Sequence, residues 1–285
     1  MTLGDLLKDG ATRLATAGID GAAREVRLLL QAGAGIPIAT QIAFPERTID
    51  IAAAARFEVL LERRVQREPM AHILGRREFW SLAFKVTADT LDPRPDSETL
   101  VQGVLDQVPD RSAALRLIDF GTGTGCLLLA LLHELSNATG VGVDVSAAAL
   151  MVATENADAL GLAPRATFHR GSWDHGIDPG FDIVLSNPPY IPGGDIAGLQ
   201  PEVASFEPRL ALDGGSDGLD AYRRLGPAAE RLLVPGGLAA FEIGNGQADS
   251  VHRIMAAAGL RHIATARDLA AVERCVLFRK PQKGQ

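Results

Sequence analysis

The tetrapeptide Asn187-Pro188-Pro189-Tyr190 directly follows residues 181–186, an apolar run typical of a buried strand. Two consecutive prolines fix φ and remove two N–H donors, so the backbone carbonyls there remain as acceptors beside the side-chain oxygen of Asn187. Two such acceptors suit both hydrogens of a substrate NH2 group, and Tyr190 offers a flat face for a planar amide or base. The loop therefore predicts chemistry at the nitrogen of an amide or aromatic amine.

Such a nitrogen is a poor nucleophile because its lone pair is delocalised, and acceptors on its hydrogens raise its electron density and aim it. Attack on a sulfonium methyl group is an in-line displacement, for which positioning supplies much of the acceleration without a strong base. We therefore expect catalytic roles for Asn187, Pro188 and Tyr190, with Pro189 completing the substrate site. The alternative is a plain strand-terminating turn, because Asn before Pro often begins one.

A glycine-rich turn follows an earlier apolar strand, at Gly121, Thr122, Gly123, Thr124 and Gly125. Glycines let the backbone turn sharply and let a ligand approach without a Cβ in the way. The next strand ends in Asp144, 19 residues past Gly125, where a carboxylate can accept both ribose hydroxyls. A dinucleotide site would need glycine where this chain has Cys126, so the spacing favours S-adenosylmethionine over NAD.

Four residues near these motifs carry alternative interpretations. Asp144 is also suited to a helix N-terminus, and the two roles are compatible. Trp173 follows the third strand of the sheet and is expected beside the adenine, or else as a plug between a loop and the core. Asn187 is expected to touch the cofactor as well as the substrate. Glu242 ends the fifth strand and receives no role, because contact with solvent, with substrate or with backbone groups fits it equally.

The N-terminal part of the chain has the pattern of helices. Phe57, Leu60, Leu61 and Val65 recur at helical spacing, and Pro69 is expected to close that helix. Residues 75–86 alternate and are aromatic, which predicts a strand or hairpin before a break at residues 93–95, where we expect the domain junction. The predicted domains are a helical domain at 1–74, a β-hairpin linker at 75–95 and an S-adenosylmethionine-dependent methyltransferase domain at 96–285.

Beyond residue 96, strands alternate with helical segments. The strand candidates are residues 115–120, 140–145, 166–169, 181–186, 237–243, 262–266 and 274–278. The last two lack an intervening helix and are expected to pair antiparallel at one edge. The fold class is therefore α/β, a doubly wound, mostly parallel seven-stranded sheet of the Rossmann-like type.

Charge and composition exclude several classes of function. Residues 1–95 hold 13 Lys/Arg against 12 Asp/Glu, while the remainder holds 15 against 23, so no stable nucleic-acid binding is expected in the half that carries the motifs. The apolar runs are too short to cross a bilayer, which predicts a cytoplasmic protein without membrane contact. Two cysteines, Cys126 and Cys275, suit neither a disulfide framework nor a metal cluster, so no metal is expected.

Several segments together resemble the release-factor glutamine methyltransferases, the HemK-type protein methyltransferases. They are residues 67–75 (REPMAHILG), 78–80 (EFW), 91–98 (LDPRPDSE), 202–203 (EV), 206–208 (FEP), 211–212 (AL) and 218–219 (GL), besides the motifs above. The segment at 91–98 departs from the family pattern, with Asp92 where an apolar residue is usual and Asp96-Ser97 where Glu-Thr is common.

The resemblance implies a class I methyltransferase fold and a specific substrate. That substrate is the Gly-Gly-Gln glutamine of class I peptide chain release factors, methylated by S-adenosylmethionine on the side-chain nitrogen, N5. It also implies that residues 121–125, Asp144 and Trp173 contact the cofactor, and that residues 187–190 contact the glutamine amide. By the same analogy the helical domain grips the release factor, and we expect a monomer.

The resemblance leaves the roles of several charged residues open. Arg94 and Glu98 would lie near the cleft or brace the domain junction through an ion pair. Five arginines would either help to hold the partner or form a solvated face, and these are Arg63, Arg64, Arg67, Arg76 and Arg77.

Two other functions remain as alternatives. An N-methyltransferase acting on an exocyclic amino group of DNA or RNA would use the same loop chemistry, but it must also capture a base and bind phosphates. A nicotinamide-dependent oxidoreductase would share the sheet, because a fold alone does not determine function.

Overall fold

The computed structural model describes residues 1–282 and contains two compact units. The helical unit comprises residues 1–75 together with Gln200–Phe206, and the sheet unit comprises the rest. The break at residues 93–95 does not mark the division, contrary to expectation. The reason is that the hairpin side chains Phe79 and Phe84 are buried in the core of the sheet unit.

The helical unit contains six helices. They are α1 (Leu3–Thr16), α2 (Ala22–Ala34), α3 (Ile38–Ala43), α4 (Ile51–Val65), α5 (Met70–Leu74) and α9 (Pro201–Phe206). Its core is formed by fully buried apolar side chains, including Leu14, Leu29, Phe57 and Leu61. The predicted apolar stripe of α4 is therefore the face that packs inward.

The end of α4 differs from the prediction at Pro69. The helix ends at Val65, and Arg67 then takes a positive φ of 69°. Pro69 is the residue that precedes α5, with a φ of −57°. A proline suits the start of a helix because its fixed φ is already helical and no N–H is needed there. Pro69 therefore begins a helix and does not close one.

The sheet unit begins with a two-stranded hairpin, and the remaining elements alternate. The strands are β1 (Arg76–Phe79), β2 (Leu82–Lys85), β3 (Arg116–Phe120), β4 (Thr139–Asp144), β5 (Ala166–Arg170), β6 (Phe181–Ser186), β7 (Leu233–Glu242), β8 (Arg261–Arg267) and β9 (Glu273–Arg279). The helices are α6 (Glu98–Asp106), α7 (Cys126–Glu134), α8 (Ala147–Ala159), α10 (Asp220–Leu232) and α11 (Ala248–Ala257).

The strand order in the large sheet is β5-β4-β3-β6-β7-β9-β8. The five strands β3 to β7 are parallel, while β9 runs antiparallel to both β7 and β8. The chain winds outward from β3 in both directions, so the crevice between β3 and β6 is a switch point, where ligands of open α/β sheets bind. The fold prediction is confirmed, including the antiparallel pairing of the last two strands.

Alternate residues of the central strands enter two cores on opposite faces of the sheet. Leu117 and Leu185 pack with α6 and α7 on one face, and Ile118 and Val184 pack with α10 and α11 on the other. Strands buried on both faces require near-continuous apolar sequence, which these strands show. Within residues 1–282, no helix is both long and apolar enough to cross a membrane.

Candidate active site

A cleft of about 270 Å³ opens at the carboxyl ends of the parallel strands. Its lining includes Gly121, Gly123, Asp144, Trp173, Asn187 and Pro189, all in the sheet unit. Thr122 and Thr124 are buried behind the glycine turn, with 5% and 2% of their surfaces exposed. The topology therefore brings the glycine turn, the carboxylate of β4, Asn187 and Pro189 together in one crevice, whereas Pro188 and Tyr190 lie outside its lining.

The glycine turn after β3 adopts a conformation that suits residues without a side chain. Gly121, Gly123 and Gly125 have positive φ values of 69°, 54° and 79°. The N–H groups of Gly121 and Thr122 both donate to the carbonyl of Val143, at 2.9 and 3.1 Å. The turn is therefore attached to the end of β4, and its backbone forms part of the wall of the cleft.

Asp144 is held in place by backbone donors on both carboxylate oxygens. Its Oδ2 accepts from Gly123 N–H at 3.0 Å, and its Oδ1 accepts from Ser146 N–H at 2.9 Å. The N-cap of α8 is Ser146, whose hydroxyl accepts from Ala149 N–H at 3.2 Å, so capping is not the role of Asp144. A carboxylate oxygen can accept more than one hydrogen bond, which leaves Asp144 able to bind hydroxyls from the cleft.

A second carboxyl group, Asp119, lies beneath the glycine turn and was not assigned a role from the sequence. It is 1% exposed, and burial raises its pKa to about 7, although a hydrogen bond from Thr122 opposes the shift. Thr122 Oγ1 donates to its Oδ2 at 2.7 Å. Its Oδ1 has no hydrogen-bond partner among the described residues. An unpaired buried carboxyl oxygen is suited to a cationic ligand group, which would stabilise its charged form.

The Asn-Pro-Pro-Tyr loop after β6 is held by side chains from other segments. Asn187 Nδ2 donates to Ser97 Oγ at 3.3 Å, and the Tyr190 hydroxyl donates to Glu242 Oε1 at 3.4 Å. Gln247 Nε2 donates to the carbonyl of Tyr190 at 2.9 Å. No donor within residues 1–282 binds Asn187 Oδ1, so this oxygen is available to a ligand in the cleft.

The loop is also supported by the following chain segment. Ile191 N–H donates to the carbonyl of Leu212 at 3.0 Å, and Gly214 N–H donates to the carbonyl of Ile191 at 2.8 Å. These bonds attach the end of the loop to residues 212–214. Hydrogen bonds therefore hold the loop on both sides, and its role beyond that of a strand-terminating turn stays a prediction.

Glu242 is buried, with 2% of its surface exposed, so the interpretation as a solvent contact is wrong. Burial raises its pKa to about 7, against the opposing effects of the Ser97 hydroxyl and the Arg274 guanidinium. Its Oε2 has no hydrogen-bond partner in the described part of the chain.

Trp173 lines the cleft and also packs against the core on the α10 side of the sheet. This packing fits the plug interpretation, and the contact with the adenine stays a prediction. The φ of Trp173 is 54°, a conformation that costs a non-glycine residue about 1–3 kcal/mol. Such strain is common at ligand sites.

Arg94 and Glu98 do not line the cleft and do not pair with each other. Arg94 bonds Glu207 Oε1 at 2.7 Å, and Glu98 Oε1 accepts from Trp80 N–H at 2.8 Å. The Arg94–Glu207 pair connects residues 89–91 to residues 208–211, two segments that line the cleft. Arg94 therefore braces the wall of the cleft. Burial raises the pKa of Glu207 to about 7, even with this partner.

Two of the five arginines considered for a solvated face, Arg64 and Arg67, are bonded inside the helical unit. Arg64 is 5% exposed and bonds Glu25 at 2.6 Å and Glu202 at 3.0 Å. Arg67 donates to the carbonyls of Ala17 and Gly18, at 3.0 and 2.6 Å. The interpretation as a solvated face is wrong for these two residues, because their guanidinium groups are used inside the unit.

Two family models match this chain. The "PrmC N-terminal domain" matches residues 5–75, and a "Methyltransferase domain" matches residues 111–259. A release factor glutamine methyltransferase from Rhodospirillum rubrum is 44% identical over 284 residues, covering 100% of this chain and 87% of that protein. One from Caulobacter vibrioides is 45% identical, covering 93% of this chain and 92% of that protein.

The chain belongs to the release factor glutamine methyltransferases. The resemblance noted from the sequence is confirmed, because the identity extends over nearly the whole chain. A solved methyltransferase from Pyrococcus furiosus shares the fold, with a TM-score of 0.52 and 15% identity, covering 70% of this chain and 89% of that one.

As a member of this family, the chain is an S-adenosylmethionine-dependent methyltransferase. S-adenosylmethionine, when bound, supplies a methyl group on a positively charged sulfur. The residues of the cleft fit it, because the glycine turn admits a ligand and the Asp144 carboxylate can accept hydroxyls. The unpaired Asp119 oxygen lies beneath the turn, outside the lining of the cleft. Among residues 1–282, no group of three or more His, Cys, Asp or Glu is arranged to hold a metal ion, and Cys126 and Cys275 are free thiols.

Proposed function

We propose that this protein transfers a methyl group from S-adenosylmethionine to the side-chain nitrogen, N5, of the Gly-Gly-Gln glutamine in class I peptide chain release factors. The names of its relatives support the substrate. The observation that carries the proposal is the geometry of Asn187, whose Nδ2 is occupied by Ser97 and whose Oδ1 is available at the cleft. An amide oxygen at that point suits the NH2 of a glutamine side chain.

The proposed cofactor site combines the glycine turn with side chains from three further strand ends. The backbone of residues 121–125 borders the ligand, Asp144 accepts the ribose hydroxyls and Trp173 packs beside the adenine. Asn187 lies where the cofactor and the substrate meet. The proposed cofactor residues that line the cleft support these roles by their positions. The exceptions are Thr122, Thr124 and Gly125, which are not part of the lining. Those three residues instead shape the turn.

In the proposed reaction the glutamine NH2 donates to Asn187 Oδ1 and to the carbonyl of Pro188, and its plane rests against Tyr190. These contacts aim the nitrogen lone pair at the methyl carbon, in line with the bond to sulfur. The N–C bond forms as the C–S bond breaks, the bonding electron pair leaves with sulfur, and the extra amide proton passes to solvent. Burial raises the pKa of Tyr190, so its hydroxyl stays protonated and keeps its contact with Glu242.

The proposed partner sets the cellular context. Release factors act in translation termination, so we place the reaction in the cytoplasm. The helical unit, which matches the PrmC N-terminal domain, is proposed to grip the release factor away from its glutamine. We also propose that the protein acts as a monomer and that it does not bind nucleic acid stably.

The test is mass spectrometry of a purified class I release factor after incubation with this protein and S-adenosylmethionine. We expect one added methyl group on the Gly-Gly-Gln glutamine, and none on a release factor whose glutamine is replaced by alanine. Asn187→Ala should lower kcat by about 100-fold or more while the Kd for S-adenosylmethionine changes little, because it removes an interaction that positions the reacting nitrogen. Methylation of DNA or RNA in place of the release factor would refute the proposal.

A further inference from the structure

Ser97 lies between Asn187 and Glu242 and belongs to none of the motifs recognised in the sequence as functional. It is 3% exposed and ends the short 3-10 turn Pro95–Ser97 that precedes α6. Its Oγ accepts a hydrogen bond from Asn187 Nδ2 at 3.3 Å. The Ser97 hydroxyl also lowers the pKa of the nearby Glu242 carboxyl, because it stabilises the charged form.

The orientation of the Asn187 amide follows from its contact with Ser97. A serine hydroxyl can accept on its oxygen while its single proton remains for another acceptor. Here the Ser97 oxygen accepts from the NH2 group of Asn187, which leaves Asn187 Oδ1 on the opposite side.

The orientation of the Asn187 amide matters because its two ends have nearly the same shape and opposite hydrogen-bonding roles. A flipped amide would present NH2 to the NH2 of a glutamine substrate, and two donors would face each other. The prolines that follow Asn187 constrain the backbone but do not select between the two orientations of its side chain.

We propose that Ser97 is a positioning residue that orients the Asn187 amide so that its oxygen faces the substrate nitrogen. The inference rests on the proposed function, because it presupposes a substrate that donates from an NH2 group. Ser97 itself touches neither the substrate nor the cofactor in this scheme and acts only through Asn187. A side chain with only a structural role would change the free energy of unfolding and leave the kcat of the folded protein unchanged.

The first experiment compares Ser97→Ala and Ser97→Thr in the release factor assay. Loss of one hydrogen bond and looser positioning should lower the kcat of S97A about tenfold. Its KM for the release factor and its Kd for S-adenosylmethionine should stay within about threefold, because the binding surfaces are unchanged. S97T keeps the hydroxyl and should retain kcat to within about twofold. Should S97A fail to fold, Ser97→Cys keeps the size with a much weaker donor and acceptor, and the same loss of kcat is expected.

The second experiment places S97A in the Asn187→Ala background, with turnover followed by mass spectrometry under single-turnover conditions. A residue that acts through Asn187 has nothing left to orient there, so the double variant should be no slower than N187A. If the double variant were slower than N187A by the same factor that S97A is slower than wild type, the inference would be overturned. The matched control is Tyr222→Phe, which removes a buried hydroxyl that donates to the main-chain carbonyl of Glu242 at 2.8 Å. Y222F should lower stability and leave kcat unchanged.

The outcomes separate this inference from the proposed function. If the wild-type protein leaves the release factor unmethylated, the proposed function fails. If the wild-type protein methylates it and S97A keeps normal kcat, or S97T is as slow as S97A, the positioning role fails and the proposed function stands.

Discussion

Gly214 offers a direct test of how tightly the Asn-Pro-Pro-Tyr loop must be held. This buried glycine packs against the loop, and a Cβ placed on it would lie 2.8 Å from the carbonyl oxygen of Pro189 and 2.9 Å from Cα of Tyr190. It would also lie 2.8 Å from Cα of Gly218. All three atoms belong to the backbone, so none of them can rotate away. We expect Gly214→Ala to displace the loop.

The size of the effect follows from these distances. Ordinary contacts begin at 3.4 Å, so the Pro189 oxygen must move by 3.4 − 2.8, or about 0.6 Å. Reacting groups need to be held to about 0.5 Å, and a misplacement of 1 Å can cost about 100-fold in rate. We therefore expect G214A to lower kcat about tenfold, and overpacking to lower the free energy of unfolding by about 1–3 kcal/mol.

The assay measures initial rates of release factor methylation, with calorimetric titration of S-adenosylmethionine and a thermal melt on the same samples. Gly198→Ala is the matched control, because a Cβ there would meet nothing within 4 Å. G198A should behave as wild type. A folded G214A protein that turns over within twofold of wild type would show that the loop position is not critical.

Three further changes test other parts of the structure. Asp144→Asn should weaken S-adenosylmethionine binding about tenfold or more in a calorimetric titration, because charge-assisted hydrogen bonds are lost; unchanged affinity would remove Asp144 from the site. Arg64→Met should cost about 1.5–3 kcal/mol of unfolding free energy in a urea titration, since it removes the buried guanidinium that bonds the half-buried carboxylate of Glu25, whereas Arg13→Met, at a more exposed pair, should cost less than about 1 kcal/mol. The free energy of unfolding should fall as pH rises from about 4 to 7, because the folded protein binds more protons there, and Glu242→Gln should reduce this slope. The raised pKa values of about 7 belong to Asp119, Glu207 and Glu242. A wild-type protein more stable at pH 8 than at pH 5.5 would contradict that explanation.

The sheet could be predicted from the sequence because its strands have strong local signals. Strand β6 was predicted with its observed bounds, since an apolar run ends abruptly at Asn187-Pro188. Strand β7 begins at Leu233, four residues before the predicted start at 237. Pro-Gly-Gly, at residues 235–237, is a typical turn sequence, but Leu233 already pairs with Phe181 across an irregularity in the ladder. Tertiary pairing thus overrides a local turn signal.

The place of α9 could not be predicted, because its partners are distant in sequence. Glu202 accepts hydrogen bonds from Arg64 and Arg67, which are 138 and 135 residues away. Nothing near residues 200–206 indicates that they belong with the N-terminal helices. The same limit applies to Ser97, whose partner Asn187 is 90 residues away, although the loop itself was predicted from four adjacent residues.

The buried polar groups around the loop share one face of the sheet. Along β3 and β7, Asp119 and Glu242 alternate with residues that pack on the α10 side, so both point to the face covered by α6. Each interrupts an apolar strand near its carboxyl end, where a charged residue has to be desolvated and is costly to bury. An apolar residue would pack there at lower cost. A search of the sequence for polar residues near the ends of apolar strands would therefore have found Asp119 and Glu242 as candidate site residues. It would not have found Ser97, which precedes a helix and becomes significant only when α6 brings it between β6 and β7.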